Sequence, residues 1–130
     1  MKTDAPARSR LGLFWWLPFG RVPEMPAPDL QRRLAGNDPP QILDVRTRAE
    51  WSHGHIAGAV NLPINELRSG LAELGLAADR PVVTICLSAH RSIPAVRVLR
   101  SRGFREAMQL QGGMLAWRRQ GLPTVEESGA

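Results

Sequence analysis

From Val22 onward, short apolar runs alternate with amphipathic stretches along the chain. The apolar runs have the length of buried strands, and the amphipathic stretches have the spacing of helices that cover one side of a sheet. A glycine follows each helical stretch, where helices commonly stop. This alternation is typical of an α/β domain, with a mainly parallel sheet of four to five strands and helices on both faces.

The apolar runs predict strands at residues 22–25, 42–45, 82–86 and 107–110, with residues 60–62 as the candidate fifth strand. Because Pro26 closes the first run, we expect it at an edge of the sheet. Helices are predicted at residues 29–35, 64–74, 92–102 and 114–120, which end at Gly36, Gly75, Gly103 and Gly121. The 130 residues and 43% hydrophobic content suit one compact domain at residues 22–123, between an N-terminal extension (1–21) and a C-terminal tail (124–130).

The extension contains an apolar run at residues 11–19, with Trp15 next to Trp16. This run is shorter than the ~20 apolar residues that a transmembrane helix needs. It also lacks the small-residue cleavage site of a secretory signal, so we expect a cytoplasmic protein. Two interpretations stay open, a flap that folds back over the domain and a contact with a membrane surface or partner through Trp15 and Trp16.

The formal net charge of +5 suggests an anionic partner. Lys2, Arg8, Arg10 and Arg21, set against Asp4, place +3 of that charge before residue 22. The other basic residues alternate with acids or lie at helical spacing, without interleaved aromatic residues on which bases could stack. We therefore predict no nucleic-acid partner, while a small anionic substrate would still be attracted.

Cys86 is the single cysteine, so no disulfide can form within the chain. Lone cysteines most often pack in cores, but this one ends a predicted strand and precedes a helix that starts near Ser92. The carboxyl end of a strand and the N-terminus of a helix are places where ligands bind and where a thiolate is favoured. Ser92 is predicted to cap the helix, and Pro94 suits its first turn.

The loop after Cys86 consists of Leu87, Ser88, Ala89, His90 and Arg91. Arg91 brings a permanent positive charge, which favours a thiolate and can clamp an oxyanion such as a thiosulfonate. The alternative for Arg91 is a surface salt bridge. His90 is expected to be an exposed loop residue. Together these residues predict nucleophilic chemistry at Cys86.

The run from Cys86 to Ser92 resembles the active-site loop of the rhodanese family, a cysteine and an arginine separated by four residues and followed by serine. Two flanking stretches are also similar to the signatures of that family. The first comprises Asp44, Val45, Arg46, Glu50, Trp51 and residues 54–63, and the second comprises Gly103, Phe104, Leu110, Gly112, Gly113, Trp117 and Gly121. The resemblance covers residues 22–123.

The resemblance implies a sulfurtransferase in which Cys86 takes a sulfane sulfur from a donor such as thiosulfate and passes it to cyanide or a thiol. It implies that loop N–H groups stabilise the persulfide, that Arg91 holds the donor or the loop, and that no metal or organic cofactor takes part. A sulfur-relay protein is a further candidate partner. The family commonly has glycine where this chain has Ala89, and a positive φ there would cost alanine about 1 kcal/mol.

Several other residues have competing interpretations. Asp44 and Arg46 resemble an acid/base pair, but their place after a buried strand favours a hydrogen-bonded scaffold beneath the loop. His53 and His55 near Glu50 lack the spacing of a metal site. The Gly-Gly pair at 112–113 predicts a tight turn before a helix, as opposed to a phosphate-binding turn. Trp117 is expected in the core, with its indole N–H on a carbonyl.

Two other functions compete with sulfur transfer. Cysteine-dependent phosphatases of related fold use a similar loop, but with five residues between cysteine and arginine where this chain has four. A non-catalytic rhodanese-like module that binds a partner is the second alternative. The presence of both Cys86 and Arg91 favours an enzyme over such a module.

Overall fold

The computed structural model describes residues 22–127, which form a five-stranded parallel sheet in the order β1-β5-β4-β2-β3. The strands are β1 (Glu24–Met25), β2 (Gln41–Asp44), β3 (Val60–Asn61), β4 (Val82–Ile85) and β5 (Ala107–Leu110). The candidate fifth strand is therefore present, and β1 lies at an edge as predicted. The apolar β4 is central, as expected of a strand buried on both faces.

Helices cover both faces of the sheet, which confirms the predicted fold class. They are α1 (Ala27–Leu34), α2 (Arg48–His53), α3 (Leu67–Gly70), α4 (Ser92–Ser101) and α5 (Gly113–Arg119). On one face, Leu43 and Val82 pack with Leu99 of α4 and Leu67 of α3. On the other face, the apolar side chains of the strands pack with those of α1 and α5, among them Ile42, Val83, Leu30, Met114 and Trp117.

The prediction of one continuous helix at residues 64–74 is wrong. The segment is a 3₁₀ turn (Ile64–Glu66), then α3, then a second 3₁₀ turn (Leu71–Leu74). Gly70 lies at the second junction, where a Cβ would stand 3.2 Å from the Leu62 side chain. Glycine weakens a helix interior and here also allows close packing, so the regular helix is interrupted.

The sequence interpretation missed helix α2, which begins after Thr47 with a reciprocal capping box. Thr47 Oγ1 accepts from the Glu50 backbone N–H, and Glu50 Oε1 accepts from the Thr47 backbone N–H. These bonds satisfy backbone donors that a short helix would otherwise leave free. Thr47 and Glu50 in the sequence were the signal for this helix.

The chain after α5 returns to the end of α2. His55 and Val125 pair through two backbone hydrogen bonds of 2.9 and 2.8 Å, and the Glu127 N–H donates to the Ser52 carbonyl. Val125 and Glu127, in the predicted tail at 124–130, are therefore bonded to the end of α2. Trp15 and Trp16, which were predicted to contact the domain, a membrane surface or a partner, lie outside the described residues. Within residues 22–127, no helix is long and apolar enough to cross a membrane.

Candidate active site

Cys86 directly follows β4, at the carboxyl edge of the parallel sheet where ligands of α/β folds bind. Its side chain lies on the α4 face and is only 1% exposed. Residues 87–91 then form a tight loop that leads into α4. The predicted strand-to-helix setting of Cys86 is therefore present, with the thiol at the base of the loop.

Helix α5 fixes the start of this loop. The Met114 N–H donates to the Cys86 carbonyl at 2.8 Å, and the Leu115 N–H donates to the Leu87 carbonyl at 3.0 Å. Gly113 makes this approach possible, because a Cβ on it would stand 2.3 Å from the Cys86 carbonyl oxygen and 2.5 Å from that of Leu87. Gly113 also has a φ of 61°. Only glycine meets both conditions without strain.

These two bonds also determine the direction in which the first N–H groups of the loop point. In a trans peptide the N–H points away from the C=O, so the Leu87 and Ser88 N–H groups point away from α5. Across the described part of the chain, no carbonyl or side chain accepts from the N–H groups of residues 87–90. A loop of unused backbone donors beside a cysteine is suited to an anion.

Ala89 has a φ of 80°, and it is the one non-glycine residue with positive φ among residues 22–127. Alanine was predicted to be strained at this position if its φ were positive, and its φ is positive. The cost is about 1 kcal/mol relative to the ordinary right-handed region. Ala89 is half-buried against the α4-face core, so its methyl group occupies space that glycine would leave open.

Arg91 forms a bidentate ion pair with Glu50. Arg91 Nη1 donates to Glu50 Oε1 at 2.8 Å, and Nη2 donates to Oε2 at 3.1 Å. The hydrogen bond from Arg91 lowers the pKa of Glu50 from 4.5 to about 2, with the Thr47 cap bonds contributing. The same bond raises the pKa of Arg91. Arg91 therefore forms the salt bridge that was its alternative interpretation, and this salt bridge joins the end of the Cys86 loop to α2.

The predicted cap at Ser92 is wrong. Arg91 is the N-cap residue and already has helical angles (φ −74°, ψ −18°), which places Ser92 inside the helix, where its side chain caps nothing. The Ser92 hydroxyl is fully buried and has no hydrogen-bond partner among residues 22–127. At the exposed tip of the loop, Ser88 Oγ lies 3.0 Å from His90 Nδ1. Pro94 lies in the first turn of α4, as predicted.

Asp44 and Arg46 form a buried ion pair beneath this edge of the sheet, with 0% and 1% exposure. Arg46 Nη2 donates to Asp44 Oδ2 at 2.7 Å and to the Gly54 carbonyl at 2.8 Å, and Nε donates to Asp44 Oδ1 at 2.9 Å. Asn61 Nδ2 donates to the carbonyls of both residues. This network supports the scaffold interpretation over an acid/base pair.

The two neighbouring histidines have structural contacts. His55 Nδ1–H donates to the Trp51 carbonyl at 2.6 Å, and its ring stacks on the Trp51 indole with centroids 4.1 Å apart. His53 Nδ1–H donates to the Ala49 carbonyl at 2.7 Å. Trp117 is buried, and its indole N–H donates to the Pro123 carbonyl at 2.8 Å, as predicted.

Comparison with known proteins identifies the family of this fold. The model of the rhodanese-like domain matches residues 27–120, which is most of the chain. The chain belongs to the rhodanese-like family. The resemblance seen in the three sequence signatures is therefore confirmed.

This rhodanese-like domain is similar to whole proteins and to parts of larger ones. It is 36% identical over 108 residues to a sulfurtransferase of Allochromatium vinosum, across 83% of this chain and 99% of that protein. It is 46% identical over 99 residues to an HTH-type transcriptional regulator of Mycobacterium tuberculosis, across 75% of this chain but only 42% of the regulator. The human single-domain sulfurtransferase TSTD1 superimposes with a TM-score of 0.70 at 28% identity, across 77% of this chain and 98% of that one.

Two residues that contact the Cys86 loop of this rhodanese-like domain were not predicted to do so. Glu50 was part of a signature and a rejected metal cluster, but it holds Arg91. Gly113 was assigned to a turn, but it lets α5 contact the Cys86 carbonyl. The capping-box spacing marked Glu50 for a helix start, whereas no local pattern marked its contact with Arg91.

Proposed function

We propose that this protein is a sulfurtransferase in which Cys86 carries the sulfur as a persulfide. The observation that carries the proposal is the position of Cys86 at the base of a loop whose backbone N–H groups at 87–90 are unused. Sulfurtransferases similar to it over most of their length support the same reaction class. The domain responsible would be residues 22–123, in a cytoplasmic setting that keeps the thiol reduced.

In the donor step, the Cys86 thiolate attacks the sulfane sulfur of a donor such as thiosulfate. The S–S bond of the donor breaks, and sulfite leaves with the bonding electron pair. The terminal sulfur of the Cys86 persulfide then carries the negative charge. The N–H groups of residues 87–90 would stabilise that charge, as backbone donors stabilise an oxyanion.

In the acceptor step, cyanide or a thiol attacks the terminal sulfur of the persulfide. The Cys86 thiolate leaves with the electron pair, and thiocyanate or a small-molecule persulfide is released. No change in metal or cofactor oxidation state is needed for either step. Arg91, held by Glu50, would act by fixing the end of the loop and adding positive charge near it.

The test is turnover of thiosulfate and cyanide, measured as thiocyanate. We expect activity in the wild type and none in Cys86→Ala. If the wild type instead hydrolyses an aryl phosphate and Cys86→Ser does not, the result would support the alternative that the protein is a cysteine-dependent phosphatase. The absence of both activities would favour a partner-binding module.

A further inference from the structure

An apolar cleft of about 520 Å³ lies on the face of the sheet that α1 and α5 cover. None of the residues between 22 and 127 that line it is charged, and most are aliphatic residues or prolines. They include Leu34, Pro39, Pro40, Ile56, Trp117 and Val125. Val125 is 43% exposed, although its side chain is large and apolar. The cleft is therefore suited to bind apolar side chains.

This cleft lies at the amino edge of the sheet, where the parallel strands begin. Helix α1 runs back from the carboxyl edge, so its end and residues 39–42, which lead into β2, lie at the amino edge. Residues 56–58 precede β3, and residues 123–125 follow α5, which also runs back toward this edge. Cys86 lies at the opposite edge, so the cleft is separate from the candidate active site.

The chain enters the sheet from the same amino edge as the cleft. Val22 is buried just before β1, which is parallel to the other strands. β1 and β2 are three places apart in the sheet, a distance of ~14 Å. The seven residues from Trp15 to Val22 span up to ~23 Å when extended. The apolar run at residues 11–19 can therefore reach the cleft.

The lining of the two largest clefts decides between them as a site for this run. A cleft of about 750 Å³ lies closer to β1, but charged residues line it, namely Glu24, Asp29, Arg32, Arg33 and Asp38. The run at residues 11–19 has no charged residue and contains leucine, phenylalanine and tryptophan. Because apolar side chains gain free energy by burial against apolar surface, the uncharged cleft suits this run.

The charges beside the cleft are ordered to match those beside the run. Arg8 and Arg10 precede the run, which would bring them to the β3 side of the cleft if the run extends there from β1. Glu126 and Glu127 are exposed on that side, because the adjacent Val125 pairs with His55. Neither glutamate forms an ion pair with another residue of the 22–127 segment. Opposite charges thus favour one direction for the run.

We propose that residues 11–19 bind this amino-edge cleft of their own chain, with Trp15 and Trp16 as the side chains that fill it. The contact buries the apolar wall of the cleft and shields both indole rings from water. Arg8 and Arg10 lie beside Glu126 and Glu127. The inference does not rest on the proposed sulfurtransferase function, because the cleft and Cys86 lie at opposite edges of the sheet.

The indole N–H signals of Trp15 and Trp16 in the NMR spectrum of the full chain test this contact. We expect them to differ from those of a peptide of residues 1–21 and to be independent of protein concentration. Val125→Asp should return them toward the peptide positions, because it places a charge in the apolar cleft. Val60→Asp is the matched control and should leave them unchanged, since Val60 is 37% exposed and does not line the cleft.

The double variant Trp15→Ser with Trp16→Ser tests the contact from the other side and changes no residue of the folded domain. It should shift the backbone amides of Ala57 and Val125 and leave those of Ser88 and His90 unchanged. Reversal of both acidic charges, Glu126→Lys with Glu127→Lys, should also move the indole signals toward the peptide positions. An unchanged indole spectrum in this last variant would overturn the proposed direction of the run.

Three results would overturn the proposal itself. The first is a wild-type spectrum in which both indole signals match those of the peptide. If such signals move only when vesicles of anionic phospholipid are added, the run binds a membrane surface and not the cleft. The second is a return to the peptide positions on dilution, which would show that the run binds a second copy of the chain. The third is an equal effect of Val125→Asp and Val60→Asp.

Discussion

Glu50 holds Arg91 through two parallel hydrogen bonds across 41 positions of sequence. The same carboxylate accepts from the backbone N–H of Thr47 and so fixes the start of α2. Glu50 therefore has two roles. It binds Arg91 at the end of the Cys86 loop, and it caps helix α2, to which it belongs. Because the loop start is bound to α5, both ends of the loop have a fixed position.

The Glu50→Gln variant should lose about tenfold in kcat/KM for thiosulfate and cyanide, because the loop loses its charged anchor. Stability should fall by about 1 kcal/mol at pH 7, since the pair is one-third exposed and screened by solvent. Glu73→Gln is the control, because Glu73 is exposed and forms no ion pair in the described segment. Equal activity of the two variants would contradict the anchoring role of Glu50.

The stability difference between the wild type and Glu50→Gln should depend on pH. The pKa of Glu50 is lowered from 4.5 to about 2 in the folded protein, so its contribution is complete above about pH 4.5. That contribution is lost as the pH falls toward 2, where the carboxylate is protonated. Urea unfolding of both proteins between pH 2 and 7 measures it, and a constant difference over that range would be the contradictory result.

The Gly113→Ala variant should lose about 3 kcal/mol of stability and most of its activity. The added methyl group would meet the Cys86 and Leu87 carbonyls at 2.3 and 2.5 Å, and the positive φ adds strain. Gly121→Ala is the matched control, because Gly121 has a φ of 73° with nothing within 4 Å of the added Cβ. It should cost only about 1 kcal/mol and keep its activity. Similar losses in both variants would exclude the close approach as the cause.

The Ala89→Gly variant should change stability by less than about 1 kcal/mol, because relief of strain at φ 80° is offset by greater freedom of the unfolded chain. Removal of the half-buried methyl group should raise kcat/KM for a bulky aryl thiosulfonate more than for thiosulfate. Steady-state kinetics with both donors measure this ratio. An unchanged ratio would show that Ala89 does not restrict the donor.

Asp44→Asn should destabilise the domain by about 3–5 kcal/mol, because it leaves the buried Arg46 guanidinium without its counter-charge. The double variant Asp44→Leu with Arg46→Met should recover part of that loss, since it removes both buried charges. Chemical unfolding of the three proteins tests the scaffold interpretation. A loss below about 1 kcal/mol for Asp44→Asn would be incompatible with a buried pair.

Much of the fold could be predicted because burial leaves a direct pattern in the sequence. The apolar run before Cys86 is long enough for one buried strand and too short for a helix, and it is β4. Helix α2 was missed because it has no apolar periodicity, and its capping box was the available signal. The interruption near Gly70 depends on the Leu62 side chain, which sequence periodicity does not place.

The position of Cys86 between a strand and a helix could be predicted, but the contacts of its loop could not. Cys86 and its loop followed from one strand end and one helix start. The pairing of Arg91 with Glu50 and the bonds from α5 to the Cys86 carbonyl join residues far apart in the sequence. Such contacts depend on the packing of the sheet and its helices, and a local pattern does not contain that information.

The central claim, that Cys86 carries the sulfur, is tested most directly by the intact mass of the protein after treatment with thiosulfate and removal of excess donor. We predict that the wild type gains the mass of one sulfur atom, that Cys86→Ser does not, and that cyanide removes the added mass with release of thiocyanate. A wild-type mass that stays unchanged under these conditions, or a gain that persists in Cys86→Ser, would contradict the account.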